Sequence, residues 1–174
     1  VVFANSIEAG GDMSFESSRV FPVPGLEKLL TGFRLFSGLD EAALEPLRSV
    51  FELHKVEEGE DLIEYDAIET QVFFIVRGSV QVNVPLANRK TSETVCELKA
   101  GDTVGEFLLA RKARRSAACQ ALSDLELLVA DADKLCQVFE QFPELGMTVY
   151  RNLSSVLCDR LHDNNMLIRR VLGK

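Results

Sequence analysis

Apolar residues recur at helical spacing near the start of this chain, at strand spacing through its middle, and at helical spacing again to its end. From Gly25, Leu26, Leu29, Leu30 and Phe33 fall three and four apart, which predicts a helix. Leu39-Asp40-Glu41-Ala42-Ala43-Leu44 signals a second short helix with Asp40 as its cap, and Leu44, Leu47 and Val50 continue its apolar face. The rhythm then changes. Phe51, Leu53 and Val56 ahead of Glu57-Glu58-Gly59-Glu60 predict a strand and a turn, and Leu62-Ile63 begin the next strand. Val72-Phe73-Phe74-Ile75-Val76 is a continuous apolar run, as in a strand buried on both faces. Val80, Val82 and Val84 alternate with polar Gln81 and Asn83, giving a half-buried strand. A polar hairpin loop over residues 87–93 returns through Thr94-Val95-Cys96-Glu97-Leu98 to a turn at Lys99-Ala100-Gly101-Asp102. Two more strands are expected over residues 117–121 and 125–129. Many short strands with Gly-rich turns at close spacing predict a β-barrel or jelly roll: a mainly β fold with flanking helices.

From Asp131 the helical period resumes. Asp131 or Asp133 can cap a helix carrying Leu135, Val138 and Phe139, and Pro143 stands at a permitted first-turn position of the next. In that last helix Val149, Leu153 and Val156 form one stripe, expected to face the barrel. Leu157, Leu161, Asn164, Ile168 and Val171 form another, stepping four, three, four, three. This second stripe is a heptad seam with one polar member, which suits dimerisation; packing against the chain's own core or a further domain is the competing reading. Residues 1–24, broken by Gly10-Gly11-Asp12, Ser17-Ser18 and Pro22-Val23-Pro24, read as a leader or linker from which Phe15, Val20 and Phe21 could dock. The domain is expected over residues 25–174, with N-terminal helices at 25–50, strands at 51–130 and C-terminal helices at 131–174.

Composition narrows the function. The chain has 174 residues, 47% apolar and 26% charged, the balance of one globular domain with appendages. A net charge of −8 argues against a nucleic-acid surface and against docking on anionic lipid. No apolar run approaches the roughly 20 residues that span a bilayer. The chain begins at Val1 with no signal-peptide pattern, which reads as a fragment or processed chain with an expected cytoplasmic location. Cys96, Cys119, Cys136 and Cys158 are scattered without a C-x-x-C, and are expected to be reduced and mostly buried; His54 and His162 are expected at the surface. No nucleophile–base pair or metal-ligand spacing stands out, so the chain is not expected to be an enzyme.

The chemistry concentrates in Val104-Gly105-Glu106-Phe107-Leu108-Leu109, closed by Arg115-Ser116-Ala117. A glycine and a carboxylate open a short helix, whose first N–H groups favour an anion. Arg115 can fork two donors onto phosphate oxygens and Ser116 can add a third. Glu106 repels phosphate and is better placed to accept from a sugar hydroxyl. The stretch is a cradle for a nucleotide phosphate.

From Leu35-Phe36-Ser37-Gly38-Leu39 to Leu161, the chain resembles the cyclic nucleotide-binding domain family, the regulatory fold of catabolite-activator-type regulators, cyclic-nucleotide-dependent kinases and gated channels. The resemblance is carried by Phe73-Phe74-Ile75-Val76-Arg77-Gly78-Ser79-Val80, by Leu98-Lys99-Ala100-Gly101-Asp102, and by Gly105-Glu106 with Arg115-Ser116-Ala117. It implies an antiparallel β-roll with N-terminal helices, a C-terminal helical lid and a phosphate-binding cassette at residues 104–117. It assigns the cyclic phosphate to Arg115 and Ser116, the ribose 2′-hydroxyl to Glu106 and close backbone approach to Gly105, with N–H donation around Leu108 and Ala117. Val82, Val95 and Val104 would wall the base, and Arg160 could cover it. The chain departs from the family where Leu108 replaces a small residue, which requires its side chain to point into the barrel. It departs again where Arg111-Lys112-Ala113-Arg114 raises the positive charge of the loop tip, and where Cys119 replaces a more aliphatic residue.

Three functions follow from the resemblance. The first is a sensor that binds cAMP or cGMP, with no other cofactor, and relays it through the C-terminal helix to a second subunit or an output domain. The second is a nucleotide-free interaction or dimerisation module. The third, a DNA-binding regulator, would need a helix-turn-helix that these residues do not contain. Ser116 after the arginine leans toward cAMP.

Overall fold

The computed structural model of the chain describes residues 23–86 and 92–173. The expected leader, with Phe15, Val20 and Phe21, and the hairpin tip at residues 87–91 lie outside the described residues. Eight strands form two antiparallel four-stranded sheets: β1 (Phe51–Val56), β8 (Leu125–Asp131), β3 (Gln71–Arg77) and β6 (Thr103–Val104) in one; β2 (Asp61–Ile63), β7 (Ala118–Ala121), β4 (Ser79–Pro85) and β5 (Ser92–Lys99) in the other. This is the expected β-roll with flanking helices. Seven of the strands stand where the alternation of the sequence put them. The two-residue β6 was not anticipated; it pairs Val104 and Thr103 with Phe73 and Phe74, too short to set up a period of its own.

Two cores explain the apolar run in β3. Phe73 and Ile75 point into the space between the sheets with Val56, Leu62, Ile63, Val80, Val104, Cys119, Leu125, Leu127 and Val129. Val72 and Phe74 point the other way, into a helical layer with Leu26, Leu30, Phe36, Leu135, Val149 and Leu153. Val72, Phe73, Phe74 and Ile75 are each at most 1% exposed, so both faces of the strand are covered, as its composition predicted. Phe33, Phe36 and Phe51 all meet Phe74 with ring centroids 5.2–5.6 Å apart, which fixes the N-terminal segment on the sheet.

The N-terminal helical segment is more broken than its period suggested. Helix α1 spans Leu26–Leu30 only, followed by a 3₁₀ turn at Arg34–Phe36. Helix α2 (Glu41–Leu44) has the expected Asp40 cap, which accepts from the Ala43 N–H at 2.8 Å. It then tightens into a 3₁₀ turn at Glu45–Leu47, because Pro46 has no N–H to continue the helical ladder. Asp131, rather than Asp133, caps α4 (Ala132–Gln141), accepting from the Lys134 N–H at 3.0 Å. Helix α5 (Pro143–Leu172) is 30 residues long and starts on Pro143 as expected. Val149, Leu153 and Val156 pack with the helical layer on the outside of the roll, not in its interior. Asn152 ties α5 to the first 3₁₀ turn, giving its side-chain N–H groups to the carbonyls of Leu35 and Ser37 at 3.0 and 2.8 Å. Of the seam, Leu157 packs on the core, whereas Leu161, Asn164 and Ile168 are exposed.

Two expectations fail. His54 is buried at 6% exposure beside Glu52, because β1 turns it inward between Phe51 and Val56. The cysteines are all free, but only Cys119 is buried; Cys96 and Cys158 are exposed and Cys136 is half-buried.

Candidate functional site

A turn of the chain, a buried carboxylate and a buried guanidinium meet at the mouth of the roll. Gly105 follows β6 with φ of +80°, a conformation that favours glycine. A Cβ there would lie 2.4 Å from Arg115 Nη1 and 3.1 Å from the Gln71 carbonyl oxygen, so this glycine is required twice, by its backbone angle and by its neighbour. The next residue, Glu106, is fully buried, and α3 (Phe107–Ala110) is a single turn. Its Leu108 and Leu109 N–H groups bond back to the carbonyls of Gly105 and Glu106 at 3.2 and 3.0 Å. One turn sums few peptide dipoles, so the anion-binding character expected of a helix start falls mainly to Arg115.

Arg115 is held from behind. Its own N–H and C=O pair with the Ala67 carbonyl and the Asp66 N–H, both at 3.0 Å, which ladders the cassette to the loop before β3. The Arg115 Nε donates to Glu69 at 3.1 Å and Nη2 to the Gln71 carbonyl at 2.7 Å, with the Phe73 ring 5.9 Å from the guanidinium carbon. Those bonds fix the fork and leave Nη1, buried beside Gly105, with no hydrogen-bond partner. Glu69 and Gln71 were not legible in the sequence: a glutamate and a backbone carbonyl 46 and 44 residues away carry no local signal.

Glu106 is reached from the opposite side. Arg160, on α5, gives Nη1 to Glu106 Oε1 and Nη2 to the Thr103 carbonyl, the latter at 2.7 Å. Expected above the base, Arg160 is thus engaged at the carboxylate expected to serve the ribose. The other carboxylate oxygen, Glu106 Oε2, is buried without a partner. Burial pushes the Glu106 carboxyl above its ordinary range, opposed by the charge of Arg160 and, more weakly, of Arg115. Arg115 and Glu106 are electrostatic neighbours but each hydrogen-bonds to other groups, so they are not a closed internal pair.

The remaining candidates are placed as follows. Leu108 is half-buried and, contrary to the expectation that it point into the barrel, packs on the helical layer outside the roll, where it leaves the interior free. Phe107 and Ser116 are exposed and Ala117 is half-buried. Val104 is buried and Val82 packs on the inner core; Val95 is exposed, on the bulge that β5 makes where Val82 pairs with Cys96 and Asn83 with Thr94. The basic loop tip is partly neutralised: Lys112 pairs with Asp133 at 2.8 Å and Arg114 with the Asp66 carboxylate at 3.6 Å. A cavity of about 170 Å³ lies between α5 and the roll, lined by residues including Arg34, Asp102, Thr103, Asp159 and Arg160, beside the cassette rather than in it. Among the described residues no group of acidic, histidine or cysteine side chains is arranged to hold a metal ion, and no helix is long and apolar enough to cross a membrane.

Residues 53–142 match the family model of the cyclic nucleotide-binding domain. The chain belongs to that family. Among curated proteins, the Pycsar effector protein XpPycTIR of Xanthomonas perforans is 30% identical over 140 residues, 80% of this chain and 43% of that protein. The chain therefore spans less than half the length of this relative. Among solved structures, a cyclic nucleotide-binding domain from Methylobacillus flagellatus superposes with a TM-score of 0.77 at 20% identity, covering 91% of this chain and 92% of that one. The catabolite activator protein of Thermus thermophilus gives 0.68 at 22% identity, over 79% of this chain and 62% of the other. These structural likenesses establish the fold of a cyclic nucleotide-binding domain; the side chains at the mouth of this domain carry the chemistry.

Proposed function

We propose that this domain is a regulatory sensor that binds a cyclic mononucleotide, cAMP or cGMP, at Gly105, Glu106, Arg115 and Ser116. One observation carries the reading: the site has a buried guanidinium nitrogen and a buried carboxylate oxygen, each without a partner. A buried polar group left unsatisfied costs about 1–3 kcal/mol, more when charged, so a ligand that completes both gains that much at each end. The donor suits a phosphate oxygen. The acceptor suits a hydroxyl and rejects an anion. A cyclic nucleotide carries both groups on one rigid ring system, which adds no ordering penalty between them. Other ring ligands that join an anion to a hydroxyl share this chemistry; membership in the family favours the nucleotide.

The relay runs through Arg160. A ribose hydroxyl arriving at Glu106 meets the guanidinium that α5 already places there, so the ligand changes the contact that holds α5 to the mouth of the roll. It shifts the position of α5 only by its difference in affinity for the two arrangements. The recipient of that shift is a second copy, through the exposed Leu161, Asn164 and Ile168 stripe, or an output domain. The competing reading, a nucleotide-free interaction module, draws on the protein groups that already bond Arg115 and Glu106. Titration calorimetry with cAMP and cGMP separates the two. Saturable heat is expected; a flat titration at millimolar nucleotide would leave the interaction module standing.

A further inference from the structure

Glu69, Thr70 and Gln71, where the chain enters β3, serve two different partners. Glu69 and Gln71 hold the Arg115 guanidinium, one through its carboxylate and the other through its backbone carbonyl. Thr70, between them, is tied to the junction of β8 and α4. Its carbonyl accepts from the Ala132 N–H at 2.8 Å, and its hydroxyl donates to Asp131 Oδ2. Asp131 stands opposite Gln71 in the β3–β8 ladder, so the register that aligns the strands also brings Thr70 to this carboxylate. The other oxygen, Asp131 Oδ1, accepts from the Lys134 N–H at 3.0 Å and caps α4. One carboxylate therefore serves both the loop that fixes Arg115 and the first turn of α4. Partial burial opposes its charge, but the bonds from Thr70 and from the Lys134 and Asp133 N–H groups hold the Asp131 carboxyl below its ordinary range. Both of its oxygens are acceptors at neutral pH.

We propose that Thr70 is a positioning residue for the anion end of the site, and that Asp131 couples occupancy of Arg115 to the first turn of α4. The inference rests on the sensor reading above and adds a second exit for its signal, besides Arg160 and α5. Arg115 Nη1 stays buried and without a partner only while Nε and Nη2 keep theirs. Those partners stand on either side of Thr70, so a loop released at Thr70 takes Glu69 and Gln71 with it. A phosphate on Nη1 favours the arrangement in which the fork is fixed, and hence the one in which Thr70 holds Asp131. Coupling of this kind is reciprocal: the ligand tightens the cap by the factor by which the cap tightens the ligand. Lys112 also reaches this turn of α4, pairing with Asp133, but that pair lies open to solvent and contributes little.

The test compares Thr70→Val, which removes the hydroxyl but keeps the branched shape, with Thr70→Ser, which keeps the hydroxyl. Both leave the Asp131 cap in place. In calorimetry with cAMP, Thr70→Val should bind about threefold more weakly than the wild type, since one hydrogen bond acts on the ligand only through Arg115. Thr70→Ser should bind as the wild type does. Amide hydrogen exchange supplies a readout that a merely structural role would not move. Saturating cAMP should slow exchange of the Lys134 N–H by about the same factor in the wild type and in Thr70→Ser, and leave it unchanged in Thr70→Val. Wild-type affinity in Thr70→Val, or a loss that Thr70→Ser shares, would overturn the positioning role. Exchange at Lys134 indifferent to nucleotide in the wild-type protein, while calorimetry registers binding, would overturn the coupling and leave the sensor reading intact; this arm needs no variant to fold. Absence of nucleotide binding to the wild type would overturn both readings.

Discussion

The two ends of the site are built differently. At the anion end, Arg115 is fixed from within the roll, by the Glu69 carboxylate and the Gln71 carbonyl on the segment leading into β3 and by backbone bonds to Asp66 and Ala67. At the hydroxyl end, Glu106 is met by Arg160 from α5, 54 residues further along the chain. Every support of Arg115 belongs to the roll or its loops, so this end is formed before any ligand arrives. The partner of Glu106 belongs to the helix that would carry the output. On the proposed reading, pre-organisation at one end would lower the ordering penalty of binding, while a shared contact at the other would couple binding to α5. The proposed sensor would need both, one at each end of its ligand.

Breaking the anion end should have the largest effect. Arg115→Ala is expected to weaken cAMP by on the order of 100-fold in calorimetry, the scale of one or two hydrogen bonds to a charged group. Wild-type affinity in that variant would place the nucleotide elsewhere. Gly105→Ala puts a methyl against Arg115 Nη1 at a φ of +80°, so the backbone angle and the contact with Arg115 are strained at once. It should destabilise the fold by about 1–3 kcal/mol, the cost of a non-glycine residue in this region, and lower the melting temperature accordingly. A melting curve superposing on the wild type would show that the close approach is not needed.

Arg160→Ala addresses the hydroxyl end alone. It should cost about 2 kcal/mol in denaturant unfolding, since it leaves a buried carboxylate without its cation. Nucleotide affinity, in contrast, should hold or improve, because the ribose hydroxyl no longer competes for Glu106. A loss of affinity as deep as that of Arg115→Ala would mean that Arg160 binds the ligand directly. The pH dependence has a definite sign. Burial raises Glu106 in the folded state, so the folded chain holds that proton more tightly than the unfolded one. The favourable contribution of this proton is complete below the ordinary carboxylate range and is lost as pH rises through the raised value. Removing Arg160 raises Glu106 further, so the variant's deficit should be larger at pH 8 than at pH 5. Glu69→Gln should have the smallest effect: it keeps the side chain but removes the charge behind Arg115, and should weaken cAMP about fivefold, or about 1 kcal/mol. No change would assign the positioning of Arg115 to the backbone bonds and the Gln71 carbonyl.

The sequence by itself determined the order of all the strands but β6 and singled out the candidate cassette. Both are local: alternation in β4, the unbroken apolar run of β3, the Asp40 cap and the Gly105-Glu106…Arg115-Ser116 motif are each contained within a few neighbouring residues. It also supplied the family, because these pieces stand in one order along the chain. Only the tertiary structure decided which of two cores each apolar residue serves, that His54 is buried, and that Cys96 is exposed while Cys119 is sealed. It alone brought Glu69 and Gln71 behind Arg115, and Arg160 to Glu106. The physical reason is register. A side chain's face follows from its own position in a strand, but its partner follows from how strands and helices distant in sequence are aligned, and no local pattern records that alignment.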